Sequence, residues 1–491
     1  MLVMKFGGTS VGNGERILNV ARIVLDQQAL QPVVITSAMT KVTDALLQLH
    51  AIAASGDGET AHQQLEALCQ RHVDAAEVID VKNDWSHLLH QFTVLEHDVE
   101  AAVSNRDGSI QMRDRISSWG ERLAVILVTG AIDALGGKGG CWDLPWIVTD
   151  DHFGEATPLA EPTRKLAKSA LEQAQAEDAI LVLPGFIGQT ATPDESITTL
   201  GRGGSDYSAT LLAVALEAKM CWIYTDVDGI FTADPRVVPT AQVLPSVSYA
   251  TAGRLAVCGA KVLHSRSVSP ASRSRVELRV RNTFKPDNPG TIIIAAPAEQ
   301  RSRPQAVAGR RHVSVLNLLG SGLPEIPNLF GRMTRAIVDV GVEIVSAAHP
   351  VLGFDPQIVI DSIDQERAVA ALRAEFTVEI EDAGFIDDIS VAEDRALCTL
   401  VGDNLWRTVI EQTQRALAAE GITPQGQAAS AAAITFILMD DELDQAIRRI
   451  HVDVIEPALR EALQRAARPY GSGQWAAGGR QQRRRSTLDQ H

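Results

Sequence analysis

The chain has 491 residues, and its 45 Lys and Arg against 61 Asp and Glu give a formal charge of −16 at pH 7. At about 100 to 200 residues per domain, this length predicts roughly three or four domains and excludes a single small module. An acidic chain lacks the positive field that generic binding to nucleic acid or to an anionic membrane needs. We expect neither partner, so an anionic ligand must meet a local cluster of positive groups.

The cysteines are widely spaced, odd in number and contain no CxxC pair: Cys69, Cys141, Cys221, Cys258 and Cys398. This pattern favours reduced thiols over disulfides or a zinc site. The amino terminus has no basic segment followed by a long apolar one, so no signal peptide is expected. Together these features predict a cytoplasmic protein.

In residues 1–296, short β-branched runs alternate with longer helical patterns, which predicts βαβ units and a mainly parallel sheet with helices on its faces. Strands are predicted at residues 3–6, 32–37, 179–183, 220–225, 276–280 and 291–294. Helices are predicted at residues 16–28, 44–53, 113–135, 162–176 and 206–218. This part is predicted to be one α/β domain.

Residues 297–309 combine Pro, Gly, Gln and charge without periodicity, which predicts a linker. Two units of βαββαβ order follow, at residues 310–385 and 386–465, and this order is typical of ferredoxin-like domains. Their predicted strands lie at 312–319, 343–348, 357–361, 377–381, 396–401, 424–429 and 433–439, and their helices at 328–340, 365–375, 405–420 and 441–450. The second unit has no evident last strand, so its sheet would share a strand with another region. Residues 466–491 are rich in Gly and Arg and are predicted to be a disordered tail.

The segment MKFGGTS, residues 4–10, places a lysine at the end of the first predicted strand and glycines and hydroxyls in the turn before a helix. Backbone N–H groups of such a turn approach a phosphate closely, and the helix start and Lys5 add positive charge. The alternative is a tight strand-to-helix turn with a surface lysine. Further ligand-binding motifs are therefore needed to support phosphate binding.

The segment LGRGGSD, residues 200–206, again precedes an amphipathic helix. Arg202 can bind a carboxylate or phosphate with two parallel hydrogen bonds. A glycine turn closed by Ser205 or Asp206 as helix cap is the structural alternative. An arginine between glycines has little packing purpose, which favours a ligand.

The segment YTDVDGIFTADPR, residues 224–236, follows a strand at its carboxyl end, where open α/β sheets bind ligands. A plain Asp-Pro loop is the alternative. The position of Gly229 excludes an EF-hand, and no Walker A loop, HExxH or GxSxG motif is present. Taken alone, Glu121 in WGERLAVIL is better explained as a solvated helix position, and Lys261 in GAKVLHS as a surface lysine.

The ordered set MKFGGTSV, ITSAMTKVTDAL, GERLA, PGFIG, TLGRGGSDYSA, TDVDGIFTADPR and GAKVLH, followed by two βαββαβ units, resembles the aspartate kinases over about residues 1–465. The resemblance implies an amino-acid-kinase domain followed by two ACT domains. It also implies ATP-dependent phosphorylation of the side-chain carboxylate of L-aspartate, the first step toward lysine, threonine and methionine, with Mg²⁺ and with feedback regulation by an amino acid at the ACT domains.

The resemblance also assigns site residues. Lys5 and Asp206 would be catalytic, with Lys5 near the transferred phosphoryl group. The residues that would bind aspartate are Ser37, Thr43, Glu121, Arg202, Gly203, Gly204 and Ser205, with Glu121 at the ammonium and Arg202 at the α-carboxylate. The nucleotide would lie against Gly7, Gly8, Thr9, Ser10, Thr225, Asp226, Phe231, Arg236 and Lys261. No protein ligand is assigned to the metal.

Two departures from the family pattern affect these expectations. Phe231 stands where tyrosine is usual, which keeps an apolar wall. Residues 344–350, IVSAAHP, lack the acidic residues that a cationic effector would need, so lysine is not predicted as the inhibitor.

Small ACT sheets expose an edge, which predicts a homodimer or larger assembly. A kinase for another small acid and a catalytically silent amino-acid sensor are the competing hypotheses.

Overall fold

The structure is a computed structural model that describes residues 1–259, 263–295, 303–348, 356–405 and 407–466. Lys261, residues 297–302 of the predicted linker and residues 467–491 of the predicted tail lie outside these ranges. The strands are β1 (Leu2–Phe6), β2 (Pro32–Thr36), β3 (Gly139–Cys141), β4 (Val148–Thr149), β5 (Ile180–Pro184), β6 (Ile187–Thr190), β7 (Ile197–Thr199), β8 (Met220–Thr225), β9 (Ser246–Ser248), β10 (Glu277–Asn282), β11 (Thr291–Ile294), β12 (Arg303–Leu319), β13 (Ile344–Ala348), β14 (Gln357–Asp361), β15 (Asp388–Asp403), β16 (Gly426–Ala429) and β17 (Ala433–Met439).

The helices are α1 (Gly14–Asp26), α2 (Val42–Ser55), α3 (Gly58–Asp80), α4 (Ser86–Asn105), α5 (Ile110–Ser117), α6 (Trp119–Ala134), α7 (Ala160–Ala176), α8 (Gly204–Ala215), α9 (Tyr249–Val257), α10 (Ser265–Ser274), α11 (Leu329–Asp339), α12 (Gln365–Glu375), α13 (Thr377–Glu381), α14 (Arg407–Ala419), α15 (Leu443–Ile450) and α16 (Glu456–Ala466). A π-helical turn, His451–Ile455, joins the last two. Among the described residues, no helix combines the length and apolar character that crossing a membrane requires.

A mainly parallel sheet forms the centre of the amino-terminal half. Within the described residues its eight strands run in the order β3-β5-β2-β1-β8-β10-β11-β9, and only the β10–β11 pair is antiparallel. Side chains alternate between faces along each strand. Leu2, Met4 and Phe6 of β1 therefore face the core formed with α1, α3 and α6, while Val3 faces the core formed with α7 and α8. Lys5 shares the face of Val3, which directs it toward α8.

The carboxyl-terminal half contains one continuous antiparallel sheet for both predicted units. Its described strands run in the order β13-β14-β12-β15-β17-β16. The long strands β12 and β15 pair along most of their length, so residues 313–319 of β12 serve the first unit and residues 303–310 serve the second. The expected α/β architecture with ferredoxin-like units is therefore present, with the two units merged through β12 and β15.

The prediction of a linker at residues 303–309 is wrong, because these residues are the first half of β12. They contain Arg, Pro, Gln and Gly, yet residues 304–308 are buried. Ala306 and Ala308 pack into the core of the kinase-like half, while Val307 packs on the opposite side into the core of the second unit. A strand covered on both faces needs small or apolar side chains rather than alternation. It therefore lacks the alternating apolar and polar pattern by which a strand is predicted.

Two further predictions require correction. Residues 377–381 are helix α13 rather than a strand, because Ile380 packs beside buried Phe376 and its N–H bonds the Phe376 carbonyl at 2.9 Å. Packing at helical spacing thus overrides the β-branched composition. Residue 466, the first of the predicted tail, is the last residue of α16.

Candidate active site

The carboxyl ends of three neighbouring parallel strands form one edge, and their following residues interlock there. The Gly7 N–H after β1 donates to the Tyr224 carbonyl of β8 at 3.2 Å, and the Thr283 N–H after β10 donates to the Thr225 carbonyl at 2.9 Å. The buried Ser10 hydroxyl lies 2.6 Å from the Thr283 hydroxyl. The glycine turn and the end of β8, predicted separately as nucleotide contacts, therefore belong to one continuous surface.

A buried ion pair lies at this edge. The Lys5 Nζ atom is 2.6 Å from Oδ1 of Asp206, and their side chains are only 11% and 15% exposed. Asp206 lies in the first turn of α8, where the helix dipole favours a negative charge. The carboxylate therefore stabilises a cation in a site with little water, and it fixes the ammonium at the end of β1.

Glu121 lies in the first turn of α6 and is 3% exposed. Burial raises its pKa from 4.5 to about 8, against the opposing effects of a backbone hydrogen bond at Ala38 and of the Lys5 ammonium. One of its oxygens, Oε2, has no hydrogen-bond partner among the described residues. A buried carboxyl with a free oxygen is costly unless a cationic or hydrogen-bonding ligand completes it.

The glycine turn after β1 packs tightly against the end of β2. A Cβ atom on Gly8 would lie 2.9 Å from the Ala38 carbonyl, and the Thr40 hydroxyl donates to the Gly8 carbonyl at 2.8 Å. The Ser37 N–H donates to the Phe6 carbonyl at 3.1 Å. Ser37 is therefore fixed beside this turn, whereas half-buried Thr43 lies in the first turn of α2.

The loop before α8 is held in place by His264 and Arg266. Gly203 has φ +70°, and a Cβ there would lie 2.0 Å from Cγ of His264. Arg266 Nη1 donates to the Leu200 carbonyl at 2.9 Å. Arg202 is exposed, and no ion pair to it occurs within the described ranges. The loop is thus anchored at both ends of its glycine run while the guanidinium points outward, with Gly204 and Ser205 beginning α8.

Of the remaining predicted nucleotide residues that the structure describes, Thr9 lies in the turn after β1, and the others lie at the end of β8 or in the loop that follows it. The Thr225 hydroxyl donates to Oδ1 of exposed Asp226 at 3.1 Å, and half-buried Phe231 forms a bridge with Val243. Thr9 is half-buried, and its carbonyl accepts from Arg16 Nη1 at 2.9 Å. Arg236 pairs with Asp234 in its own loop, Nη2 to Oδ2 2.6 Å. Its guanidinium must exchange that partner before it can bind a nucleotide.

Several residues that position the site carry no sequence motif. Buried Asp114 accepts from the Thr199 N–H at 2.9 Å and from its hydroxyl at 3.0 Å, which fixes β7 just before the glycine loop. Asn282 and Lys285 both bind Asp228, at 2.6 and 2.8 Å. These residues bind backbone groups or loop carboxylates and form no recognisable motif. The predicted strand ending at residue 280 is the one sequence signal near Asn282 and Lys285, and no signal indicates Asp114.

The fold and the residues at this edge of the sheet agree with one protein family. The sequence profile of the amino acid kinase family matches residues 1–282, and the chain belongs to that family. Aspartokinase 3, chloroplastic, of Arabidopsis thaliana is 28% identical over 480 residues, which is 95% of this chain and 84% of that protein. Aspartokinase 2, chloroplastic, of the same plant is also 28% identical, over 91% of this chain and 83% of that protein.

Solved structures agree with these sequence relatives. E. coli aspartokinase III in complex with aspartate and ADP, in its R-state, is 25% identical with a TM-score of 0.78, covering 92% of this chain and 99% of that one. Clostridium acetobutylicum aspartate kinase is 20% identical with a TM-score of 0.73, over 92% of this chain and 100% of that one. The second likeness establishes the shared fold.

The contact between Gly203 and His264 predicts an unusual cost for a single methyl group. We expect Gly203→Ala to lower stability by about 1–3 kcal/mol more than Gly341→Ala, because a Cβ at Gly203 overlaps the His264 ring. Gly341 is the matched control, since it has φ +74° and open space around its Cβ position. Chemical denaturation of both variants measures the difference, and equal losses would contradict the assigned packing.

The raised pKa of Glu121 predicts a pH-dependent stability difference. The folded protein binds this proton more tightly than the unfolded chain does, so Glu121 lowers stability progressively as pH rises from about 4.5 to about 8. Glu121→Gln should therefore gain stability relative to the wild type over this window. Unfolding midpoints measured at several pH values test this, with exposed Glu217→Gln as control; a difference that is independent of pH would refute it.

Proposed function

We propose that this chain transfers the γ-phosphoryl group of ATP to the side-chain carboxylate of L-aspartate, giving 4-phospho-L-aspartate and ADP. The observation that carries the proposal is the buried Lys5–Asp206 pair beside the orphaned carboxyl of Glu121, at the carboxyl edge of the sheet. The names of the relatives that match nearly the whole chain support aspartate as the acceptor.

Glu121 and Arg202 are placed to match the charges of an α-amino acid, because an ammonium bound at Glu121 would favour its ionised form. The free oxygen of Glu121 would accept the aspartate ammonium, which would also remove the cost of burying that carboxyl alone. Arg202 would bind the α-carboxylate with two parallel hydrogen bonds. Ser37, Thr43, Gly203, Gly204 and Ser205 would then surround the substrate, leaving its side-chain carboxylate directed toward Lys5.

The transfer step needs positioning and charge neutralisation. The aspartate carboxylate is already ionised at pH 7 and needs no general base. One of its oxygens forms a bond to the γ-phosphorus while the bond from that phosphorus to the β–γ bridging oxygen breaks, and ADP leaves with the electron pair. Lys5 would neutralise charge on the transferred group, and the amide groups of Gly8 and Thr9 would bind phosphate oxygens. Gly7 and Ser10 would shape this turn around the phosphates, because their own amides donate to the Tyr224 and Gly7 carbonyls.

The nucleotide would extend from this turn toward Thr225, Asp226, Phe231 and Arg236, with Lys261 as a further predicted contact. Magnesium fits the donor set, because Asp226 is an exposed carboxylate at the strand end, whereas Asp206 is engaged by Lys5. Mg²⁺ is commonly bound by one or two carboxylates together with substrate phosphates. When bound, it would neutralise phosphate charge.

An acceptor panel tests the function. The full chain with ATP and Mg²⁺ should phosphorylate L-aspartate, and the acyl phosphate formed should be trapped by hydroxylamine as a hydroxamate. Glutamate, N-acetylglutamate and carbamate are the competing acceptors. Turnover with one of them but not with aspartate would indicate a related kinase, and absence of turnover with all of them would indicate an amino-acid sensor.

Loss of the Lys5 ammonium should slow the chemical step. We expect Lys5→Met to reduce kcat by about 10²–10³-fold, because a preorganised positive charge is removed from a site with little water. Lys168→Met is the control: Lys168 pairs with Glu217 at 3.4 Å on the surface, so kcat should stay within about twofold. Steady-state kinetics measure both, with circular dichroism to verify folding, and near-normal turnover of Lys5→Met would contradict the assignment.

Regulation would reach the nucleotide edge through the loop between β8 and β9. The Thr232 hydroxyl lies 2.9 Å from Nε2 of buried His451, and the Val307 N–H of β12 donates to the Thr232 carbonyl at 2.8 Å. Ala233 and Val238 of this loop pack into the core of the second carboxyl-terminal unit. A rearrangement of that unit would therefore move the segment that directly follows the nucleotide strand.

The Thr232 hydroxyl has a defined orientation. It accepts from the Gln242 N–H at 3.0 Å, which leaves its own proton for His451 Nε2. The other ring nitrogen of His451 faces Glu456 at 3.5 Å. Burial lowers the pKa of His451 against the opposing effect of Glu456, which favours a neutral ring that accepts from Thr232 and makes this contact directional.

Thr232→Val keeps the side-chain shape and removes the hydroxyl. We expect the effector concentration for half-inhibition to change about fivefold, because one hydrogen bond of about 1 kcal/mol is lost between the two regions. Activity titrated with lysine, threonine and methionine, singly and in pairs, measures this. Buried Thr413→Val is the control, since the one hydrogen bond of its hydroxyl within the described residues is to the Val409 carbonyl of its own helix. An equal change in both variants would exclude Thr232 as the link.

Assembly and location belong to the same proposal. Strands β13 and β16 leave the edges of the carboxyl-terminal sheet open within the described residues, and residues 427–429 of β16 are exposed. Such edges pair readily with a second copy, which supports a homodimer or larger assembly with an amino-acid effector bound at the carboxyl-terminal units. The described cysteines are unpaired thiols, and a cytoplasmic location stays a prediction.

A further inference from the structure

A cluster of side chains that bind metals lies away from the phosphate edge. It consists of His87 in the first turn of α4, Cys141 at the end of β3 and Asp143 two residues later. One ligand atom from each lies within 4.8 Å of the others, and His87 Nε2 is 3.1 Å from Oδ2 of Asp143. The reaction proposed above uses none of the three.

The fold fixes the two ligands from the β3 region. Cys141 pairs with Val182 of β5, and the next N–H, that of Trp142, donates to the Val182 carbonyl at 3.1 Å. The Asp143 carbonyl accepts from Arg122 Nε at 3.1 Å, which leaves the Asp143 carboxylate for His87. The guanidinium of Arg122 is itself held over the Trp119 ring, 3.6 Å from its centre.

The segment that carries His87 packs against α6, the helix that contains Trp119 and Arg122. Trp85, two residues earlier, lies so close to Gly130 of α6 that a Cβ there would be 2.5 Å from the tryptophan ring. Its indole N–H donates to the Asp80 carbonyl at 2.9 Å. The beginning of α4 and the end of β3 are therefore both positioned by α6, and their ligands meet without requiring a backbone movement.

The donor set selects a class of cation. Zn²⁺ binds imidazole nitrogen, thiolate and carboxylate in tetrahedral sites, and the ligand atoms in such a site are about 3.5 Å apart. Small rotations of the half-exposed His87 and exposed Cys141 side chains would close the 4.8 Å cluster to that size. Mg²⁺ prefers oxygen ligands and does not suit this set.

We propose that His87, Cys141 and Asp143 bind Zn²⁺, with water as the fourth ligand, and that the ion joins the start of α4 to the edge strand β3. Binding converts the Cys141 thiol to a zinc-bound thiolate and releases its proton to solvent. The buried hydroxyl of Thr129, which has no hydrogen-bond partner among the described residues, is near enough to affect the pKa of the Cys141 thiol and would donate to the bound sulfur. This site is independent of the kinase reaction.

The test uses the full metal-free chain in excess Mg²⁺, titrated with Zn²⁺ by calorimetry. We expect one Zn²⁺ per chain that is lost in Cys141→Ser and weakened at least about tenfold in His87→Ala. Cys69→Ser and His62→Ala are matched controls and should bind as the wild type does; His62 is also an exposed histidine beside a carboxylate, 3.8 Å from Glu96. Zinc binding that is absent, or that persists in Cys141→Ser, would overturn the proposal.

Two readouts in the wild-type chain do not depend on how well a variant folds. In the wild-type chain, Zn²⁺ should raise the unfolding midpoint and slow alkylation of Cys141, measured by mass spectrometry of the labelled peptide. Replacing Zn²⁺ with Co²⁺ should give a thiolate-to-metal charge-transfer band that Asp143→Asn weakens. Unchanged alkylation at saturating Zn²⁺ would also refute the site, and none of these results depends on aspartate kinase activity.

Discussion

The ion pair between Lys5 and Asp206 is the interaction on which the site depends. Two charges at 2.6 Å with little solvent would be costly apart, because each would be left buried and uncompensated. Together they place an ammonium group at the end of the central strand, on the face of the sheet that packs against α8. The glycine turn, the loop before α8 and the buried carboxyl of Glu121 are arranged around that fixed positive charge. The net charge of −16 is thus compatible with anionic substrates, because the positive charge is local.

The second constraint is strand β12. Its first half is buried between the core of the kinase-like half and that of the second carboxyl-terminal unit. The loop after β8 reaches the same boundary through Thr232, so this loop and the carboxyl-terminal half share hydrogen bonds. A strand with partners on both faces transmits displacement because close-packed cores do not deform gradually. This arrangement would give the proposed regulation a physical route between the carboxyl-terminal units and the proposed active site.

Much of the fold was predictable from local pattern. Strands β8 and β11 have the predicted bounds because their β-branched runs end at polar or turn residues, and the glycine motifs do lie at the strand ends. Burial created by distant packing was not predictable. Glu121 has the sequence character of a surface helix residue, and residues 303–309 have that of a linker. Asp114 lies in none of the motifs, and nothing in the GAKVLH motif indicates that its His264 packs against Gly203. The ordered motifs implied the set of site residues, but only the fold shows that Lys5 pairs with Asp206 and that Arg236 already has a partner.

The central claim is that Lys5 and Asp206 act as one unit in phosphoryl transfer. A double-mutant cycle tests it most directly, with kcat measured for Lys5→Met, Asp206→Asn and the double variant under saturating ATP and aspartate. Each single change should slow turnover by about tenfold or more, and the double variant should be slower than the slower single variant by no more than about threefold. Losses that multiply in the double variant would show that the two residues act independently and would contradict this account.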